Sequence, residues 1–176
     1  MTDHYSKIEI SRIALFKKLS LENMEVLNRK PTPDSWSALQ VIYHLFSSEE
    51  NILNYMAKKS QADLGTLRNK SISSYIRMFF LNRAIKSNKK FKAPPVLEKI
   101  PDQLSIAEIE QKYASIRASM ALFVNKIKLE GKENKEIFKH PRAGYFTIGQ
   151  TMKFIEIHFD RHLAQIENAI NIAKKQ

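Results

Sequence analysis

Two histidines, His158 and His162, stand four residues apart in "IEIHFDRHLAQIENAI", a stretch whose isoleucines, phenylalanine and leucine recur with a helical period. One turn of α-helix takes about 3.6 residues, so both imidazoles project from one face and can share one metal ion. A pair at this spacing is a weak signal by itself and needs a third donor. Three other histidines are available. His4 lies near the terminus and His140 precedes Pro141 in a loop, and both are expected to be solvated. His44 lies one position from Leu45, at the edge of an apolar helical stripe, where a ring can turn into a crevice between helices. Its residue type and position are equally those of a satisfied boundary histidine.

The chemistry open to such a cluster is limited by what surrounds it. The chain has no cysteine, which excludes disulfides and zinc-thiolate sites, and leaves histidine, carboxylate and water as metal ligands. Any nucleophilic thiol must come from outside. A metalloprotease helix carries its general-base glutamate directly after the first histidine, and here that residue is Phe159. Asp160 is two positions from each histidine, so it should point away from the ion and serve at the surface or in an inter-helix salt bridge. Glu49 and Glu50 lie within two turns of His44 and read as a solvated helix face. No general base emerges from the chain. A metal could lower the pKa of a bound water, or hold an external thiol as thiolate.

The elements that would position these residues are helices. With 176 residues, 43% of them hydrophobic, the chain suits a single domain, 1–176, with one core. Only four glycines and six prolines disfavour a many-stranded fold. Capping boxes are predicted at Ser6/Glu9, Ser37/Gln40, Ser105/Glu108 and Thr147/Gln150, each ahead of an apolar-periodic stretch. They outline four principal helices, over about residues 5–28, 37–59, 105–128 and 147–174. An additional short helix is predicted over about 72–86, with Pro94, Pro95 and Pro101 making the rest of that connection extended. A connection of roughly 45 residues lets two helices of a four-helix bundle run parallel.

Charge is distributed unevenly. Within the crossover, nine basic residues (Arg68, Lys70, Arg77, Arg83, Lys86, Lys89, Lys90, Lys92 and Lys99) face the single acid Glu98, a balance of +8 out of the chain's net +11. This stretch is read as a basic solvated surface. Anionic small molecules are a second use for it and nucleic acid a third, with Phe79, Phe80 and Phe91 as stacking rings. The aromatic residues Tyr43, Phe46, Tyr55, Phe79, Phe80, Phe154 and Phe159 are expected to fill the bundle core or a subunit interface, so a homodimer is one expected assembly. The N-terminus lacks a basic-then-apolar leader, and no apolar run approaches the roughly 20 residues of a membrane span. A soluble cytoplasmic protein with no membrane partner is expected.

Two separated motifs carry a family resemblance. "SWSALQVIYHLFSSEENIL", from Ser35 to Leu53, and "HPRAGYFTIGQTMKFIEIHFDRHLAQIENAI", from His140 to Ile170, resemble the N- and C-terminal signatures of the DinB-like superfamily of metal-dependent hydrolases, also called YfiT-like. The resemblance covers essentially the whole chain. It implies an all-α four-helix bundle with a long crossover, and a three-histidine metal site whose ligands match His44, His158 and His162. Gln165 and Trp36 match supporting positions. Three imidazoles leave a coordination position for water or substrate, the pattern of a catalytic site, and they suit zinc, nickel, iron and copper, with zinc or nickel expected here. Some branches of the superfamily are S-transferases or isomerases using low-molecular-weight thiols such as bacillithiol and mycothiol. The resemblance therefore implies a thiol-dependent S-transferase or a hydrolase acting on a small electrophilic substrate. The alternative is a non-catalytic helical module that binds anionic ligands through its basic crossover.

Overall fold

The computed structural model describes residues 2–87 and 100–176, and among these it forms six helices and one two-stranded hairpin. The helices are α1 (Thr2–Leu19), α2 (Met24–Asn28), α3 (Ala38–Lys59), α4 (Ile72–Lys86), α5 (Ile106–Leu129) and α6 (Ile148–Ala173), and the hairpin strands β1 (Glu136–His140) and β2 (Gly144–Thr147) lie between α5 and α6. Pro94 and Pro95, expected to be extended, lie outside the described residues, as do Phe91 and the lysines at 89, 90, 92 and 99.

Local capping chemistry sets the two helices that matter most. Ser37 accepts from the Gln40 amide while the Gln40 side chain accepts from the Ser37 amide, and Thr147 and Gln150 repeat this reciprocal pair at the start of α6. Each satisfies backbone donors that a helix N-terminus otherwise leaves unpaired. Ser105 makes the outgoing half of its expected box, accepting from the Glu108 amide. Ser6 does not cap, because α1 already begins at Thr2 and encloses it. The expected single helix over 5–28 is two: the Ser20 hydroxyl donates to the Lys17 carbonyl, and Asn23 caps α2 by accepting from the Glu25 amide. Leu21, counted on the apolar side of that helix, is exposed in the break.

α1, α3, α5 and α6 form the bundle, with α3 packed on α6 and α5, and α1 packed on the same two helices. Two contacts fix the sense of α3 and α5. The Gln40 amide group at the start of α3 donates to the Pro101 carbonyl just before α5, and Lys132 just beyond α5 donates to the Ser60 carbonyl at the end of α3. The two helices therefore run parallel, as the long crossover allows. The helical bundle expected from the sequence is present, and a small hairpin is added to it. His140 pairs with Gly144 across the turn, and Gly144 takes a positive φ of 75° that a residue with a Cβ would resist. A Cβ there would also lie 3.1 Å from Nε of Arg77. Arg68 and Arg77, expected as solvated crossover charge, both approach the buried carboxylate of Glu136 on β1, at 3.3 and 3.9 Å.

Two charges sit inside the bundle. Glu49, expected on a solvated face, is 1% exposed because it lies on the side of α3 that meets α5, and Glu50 is the exposed member of the pair. Glu49 Oε1 accepts from the Tyr113 hydroxyl at 2.6 Å and from Nη2 of Arg117 at 2.7 Å, and Arg117 is itself 1% exposed. Burial pushes the Glu49 carboxyl up to about 7, against the opposing pull of Arg117 and the Tyr113 hydroxyl. Removing one partner of such a pair strands the other charge in the core, which costs about 3–5 kcal/mol. Glu49→Leu, which leaves the Arg117 guanidinium charged in the core, should therefore destabilise the protein by about that amount, whereas the double variant Glu49→Leu/Arg117→Met should recover most of the loss. Denaturant unfolding of the two single variants and the double variant measures the coupling, and additive losses would show that the pair is not a unit.

Candidate metal centre

His44 lies in the second turn of α3, and His158 and His162 lie on successive turns of α6. The packing of these two helices brings the three imidazoles to one point. One ligating nitrogen from each ring lies within 4.8 Å of the other two. The Nε2 atoms of His158 and His162 are 3.2 Å apart. Two nitrogens bound at about 2.1 Å to one tetrahedral ion are about 3.4 Å apart, so this spacing fits a shared ion. The ring centroid of His44 is 5.3 Å from that of His158 and 5.0 Å from that of His162. Among the described residues this is the group of histidine or carboxylate side chains that could hold a divalent metal.

The surroundings prepare the rings for a cation. His162 Nδ1 lies 2.8 Å from Gln165 Oε1. An amide oxygen can only accept, so Nδ1 carries the proton and the lone pair of Nε2 faces the site. The Ser48 hydroxyl, one turn after His44, lies 3.4 Å from its Nδ1. Burial lowers the pKa of His44 to about 4, with a further push from His162. Burial also holds His158 well below its ordinary value, with His162 and His44 adding to the effect, and lowers His162 against the opposing bond from Gln165. All three rings are thus neutral near pH 7, the state that ligates metal.

The walls are aromatic. The Trp36 indole sits 5.2 Å from the His44 ring, and Phe154 stacks on His158 at 5.5 Å. His140 corrects its expected solvated place. Its ring packs 4.8 Å from Phe154, and its Nδ1 accepts from the amides of Arg142 and Ala143 across the hairpin turn. With Nδ1 accepting, the proton of the neutral ring resides on Nε2. Burial, aided by Arg142, lowers its pKa to about 4. The Phe154-x-x-x-His158 spacing was the available signal that His140's hairpin and the histidine face meet, but it required the hairpin to be known. His4 is half-buried, and its Nδ1 pairs with the Glu156 carboxylate on α6. Asp160 is exposed and away from the cluster, and Phe159 is buried in the core. Glu49 is engaged by Arg117 and Tyr113. Among the described residues, no carboxylate joins the three-histidine group.

A helical bundle in which histidines from two helices converge on one point defines a site that could hold a divalent metal. The sequence profile of the DinB superfamily matches residues 13–166, and the chain belongs to that superfamily. It is also 25% identical over 158 residues to an uncharacterized protein, YuaE, of Bacillus subtilis (strain 168), a match covering 89% of this chain and 91% of the relative. No solved structure matches the chain.

Two measurements follow. Alanine at His44, His158 or His162 should each abolish stoichiometric metal in protein loaded and assayed without chelator, while Gln165→Ala, which frees the Nδ1 proton, should retain metal with affinity about 10–100-fold weaker. Full metal in all three histidine variants would refute the site. No imidazole here has to lose a proton at pH 7, so affinity measured by chelator competition should stay nearly level from pH 8 to 6.5. It should fall as the pH drops below the ordinary histidine pKa of 6.5, as protons compete at His162 and then at His44, whose value is about 4.

Proposed function

We propose that this chain is a metal-dependent enzyme, a thiol-dependent S-transferase or a hydrolase, acting on a small electrophilic substrate at His44, His158 and His162 with zinc or nickel as the resident ion. The observation that carries this reading is three neutral imidazoles whose nitrogens lie within 4.8 Å of one another, with no carboxylate of the described residues among them. When bound, a divalent ion supplies Lewis-acid polarisation and lowers the pKa of a coordinated water or thiol, an activation that no carboxylate of the described residues is placed in the cluster to provide.

The chain's own residues do the holding and the excluding. Gln165 fixes the His162 tautomer and Ser48 sits behind His44. Trp36 and Phe154 place apolar ring faces beside the ligands, which suits a compact, partly apolar substrate better than a polymer. With no cysteine in the chain, sulfur chemistry requires an external thiol. The basic residues of the crossover suit an anionic thiol bearing carboxylates.

The two reaction classes separate in one screen. Metal-loaded protein is offered a panel of alkylating and acyl electrophiles with and without bacillithiol, mycothiol or glutathione. Thiol-dependent turnover lost in His158→Ala is the expected result for S-transfer, and turnover without thiol is the expected result for hydrolysis. Absence of any metal-dependent turnover across the panel would favour the non-catalytic module that binds anionic ligands.

A further inference from the structure

The helix α4 is apolar on both sides. Ser74, Met78 and Ile85 are buried and Leu81 packs against the core, as an inward face should. The opposite face carries Ile72, Tyr75, Ile76, Phe79 and Phe80, exposed by 82%, 57%, 53%, 64% and 62%. Their spacing of three and four residues aligns them in one stripe along the helix. The rings of Phe79 and Phe80 meet edge to face at 5.6 Å. A surface helix normally presents polar groups to water, and one that is apolar all round is normally covered on all sides.

The area indicates what covers it. A fully exposed side chain of this size presents about 200 Å², so the five fractions amount to about 600 Å² per copy. A single patch of this size stands at the upper end of what soluble monomers leave bare, where such patches are often functional. Two such stripes meeting would bury about 1,200 Å², the lower end of the range for stable specific interfaces. We infer that the outer face of α4 is a homodimer interface, in which two copies pair their α4 helices antiparallel about a two-fold axis near Ile76.

Charge favours the antiparallel sense only in part, because pairing about Ile76 parts the two Arg83 side chains but sets each opposite position 69 of the other copy, between Arg68, which Glu136 offsets, and Lys70. Residues 64–97 contain eight basic residues and no acid, and Arg83 and Lys86 lie at the C-terminal end of the stripe. Parallel pairing would set Arg83 against Arg83. In the antiparallel pair, Arg83 lies seven residues beyond the axis in each copy, so the two guanidinium groups are separated by about 21 Å at 1.5 Å rise per residue. That distance exceeds the Debye length of about 8 Å at physiological ionic strength, and the repulsion is largely screened. Between Ile72 and Phe80 the stripe itself is uncharged, so its centre offers nothing to a phosphate backbone.

The test uses the full chain. Analytical ultracentrifugation should show a dimer, and Phe79→Glu/Phe80→Glu should raise its dissociation constant on the order of 100-fold or more while circular dichroism shows the fold unchanged. Because the chain has no cysteine, Ile76→Cys introduces one thiol per copy. Mild oxidation should cross-link Ile76→Cys, and should leave Arg83→Cys and Leu122→Cys, both away from the axis, uncross-linked. A wild-type monomer at every concentration, a dimer that withstands both glutamates, or cross-linking of Leu122→Cys in preference to Ile76→Cys would overturn the inference. A monomer that instead sediments with phosphatidylglycerol vesicles, and loses this with the glutamates, would assign the face to an anionic membrane surface and overturn it equally.

Discussion

The seam between α3 and α6 brings imidazoles from distant parts of the chain within 4.8 Å, and the candidate site exists only while that seam holds its register. Sliding α6 by one residue along its axis would move His158 and His162 by about 1.5 Å and rotate both by about 100°, out of reach of His44. The register is held at several places. Buried Leu45 and Val41 flank His44 on α3, and buried Ile155, Phe159 and Ile166 surround the pair on α6. The reciprocal caps at Ser37 and Thr147 fix where each helix begins, and therefore which residues occupy the turn that faces its partner.

On its other side α3 is held to α5 by Glu49, Arg117 and Tyr113, all nearly inaccessible to water. An apolar core would tolerate some sliding of α3, because dispersion contacts are not directional. A buried carboxylate accepting from a guanidinium and a phenol tolerates much less, since displacement leaves charge without solvent or partner. Glu49 Oε2 and the Nε and Nη1 of Arg117 have no protein partner, so the network is incompletely satisfied by side chains alone. Because both charges lose solvent wherever α3 is displaced, the network acts on the placement of α3 as well as on stability.

How much of this was legible in the sequence depends on the range of the interaction involved. The caps at Ser37 and Thr147, the short helix from Ile72 and the convergence of His158 with His162 rest on neighbours within four residues, and the structure has them where the pattern places them. Placing His44 beside that pair required the family resemblance, because nothing local distinguishes a ligand from a boundary histidine. Glu49 was misread for the same reason in reverse: its partners are on a helix more than sixty residues away, and a glutamate next to Glu50 looks solvated. The hairpin was missed because strands of five and four residues leave too little alternation to see. With it went the place of His140, whose burial depends on β1 and on Phe154 together.

The field around the centre connects the charge of the chain to the chemistry proposed for it. Arg161 lies near enough to lower the pKa of both His158 and His162, and the chain as a whole carries a net +11. A positive field opposes entry of a cation, so affinity for the ion must come from direct coordination by aligned, neutral imidazoles, which is what burial and the Gln165 bond provide. The same field favours an anion once the ion is in place, because three neutral ligands leave the metal's full charge uncompensated. A site with a carboxylate ligand would have spent part of that charge within the protein. Under the proposed function, the lack of an acid beside His44, His158 and His162 among the described residues therefore favours an anionic fourth partner, and Arg161, whose charge reaches both His158 and His162, adds to that preference.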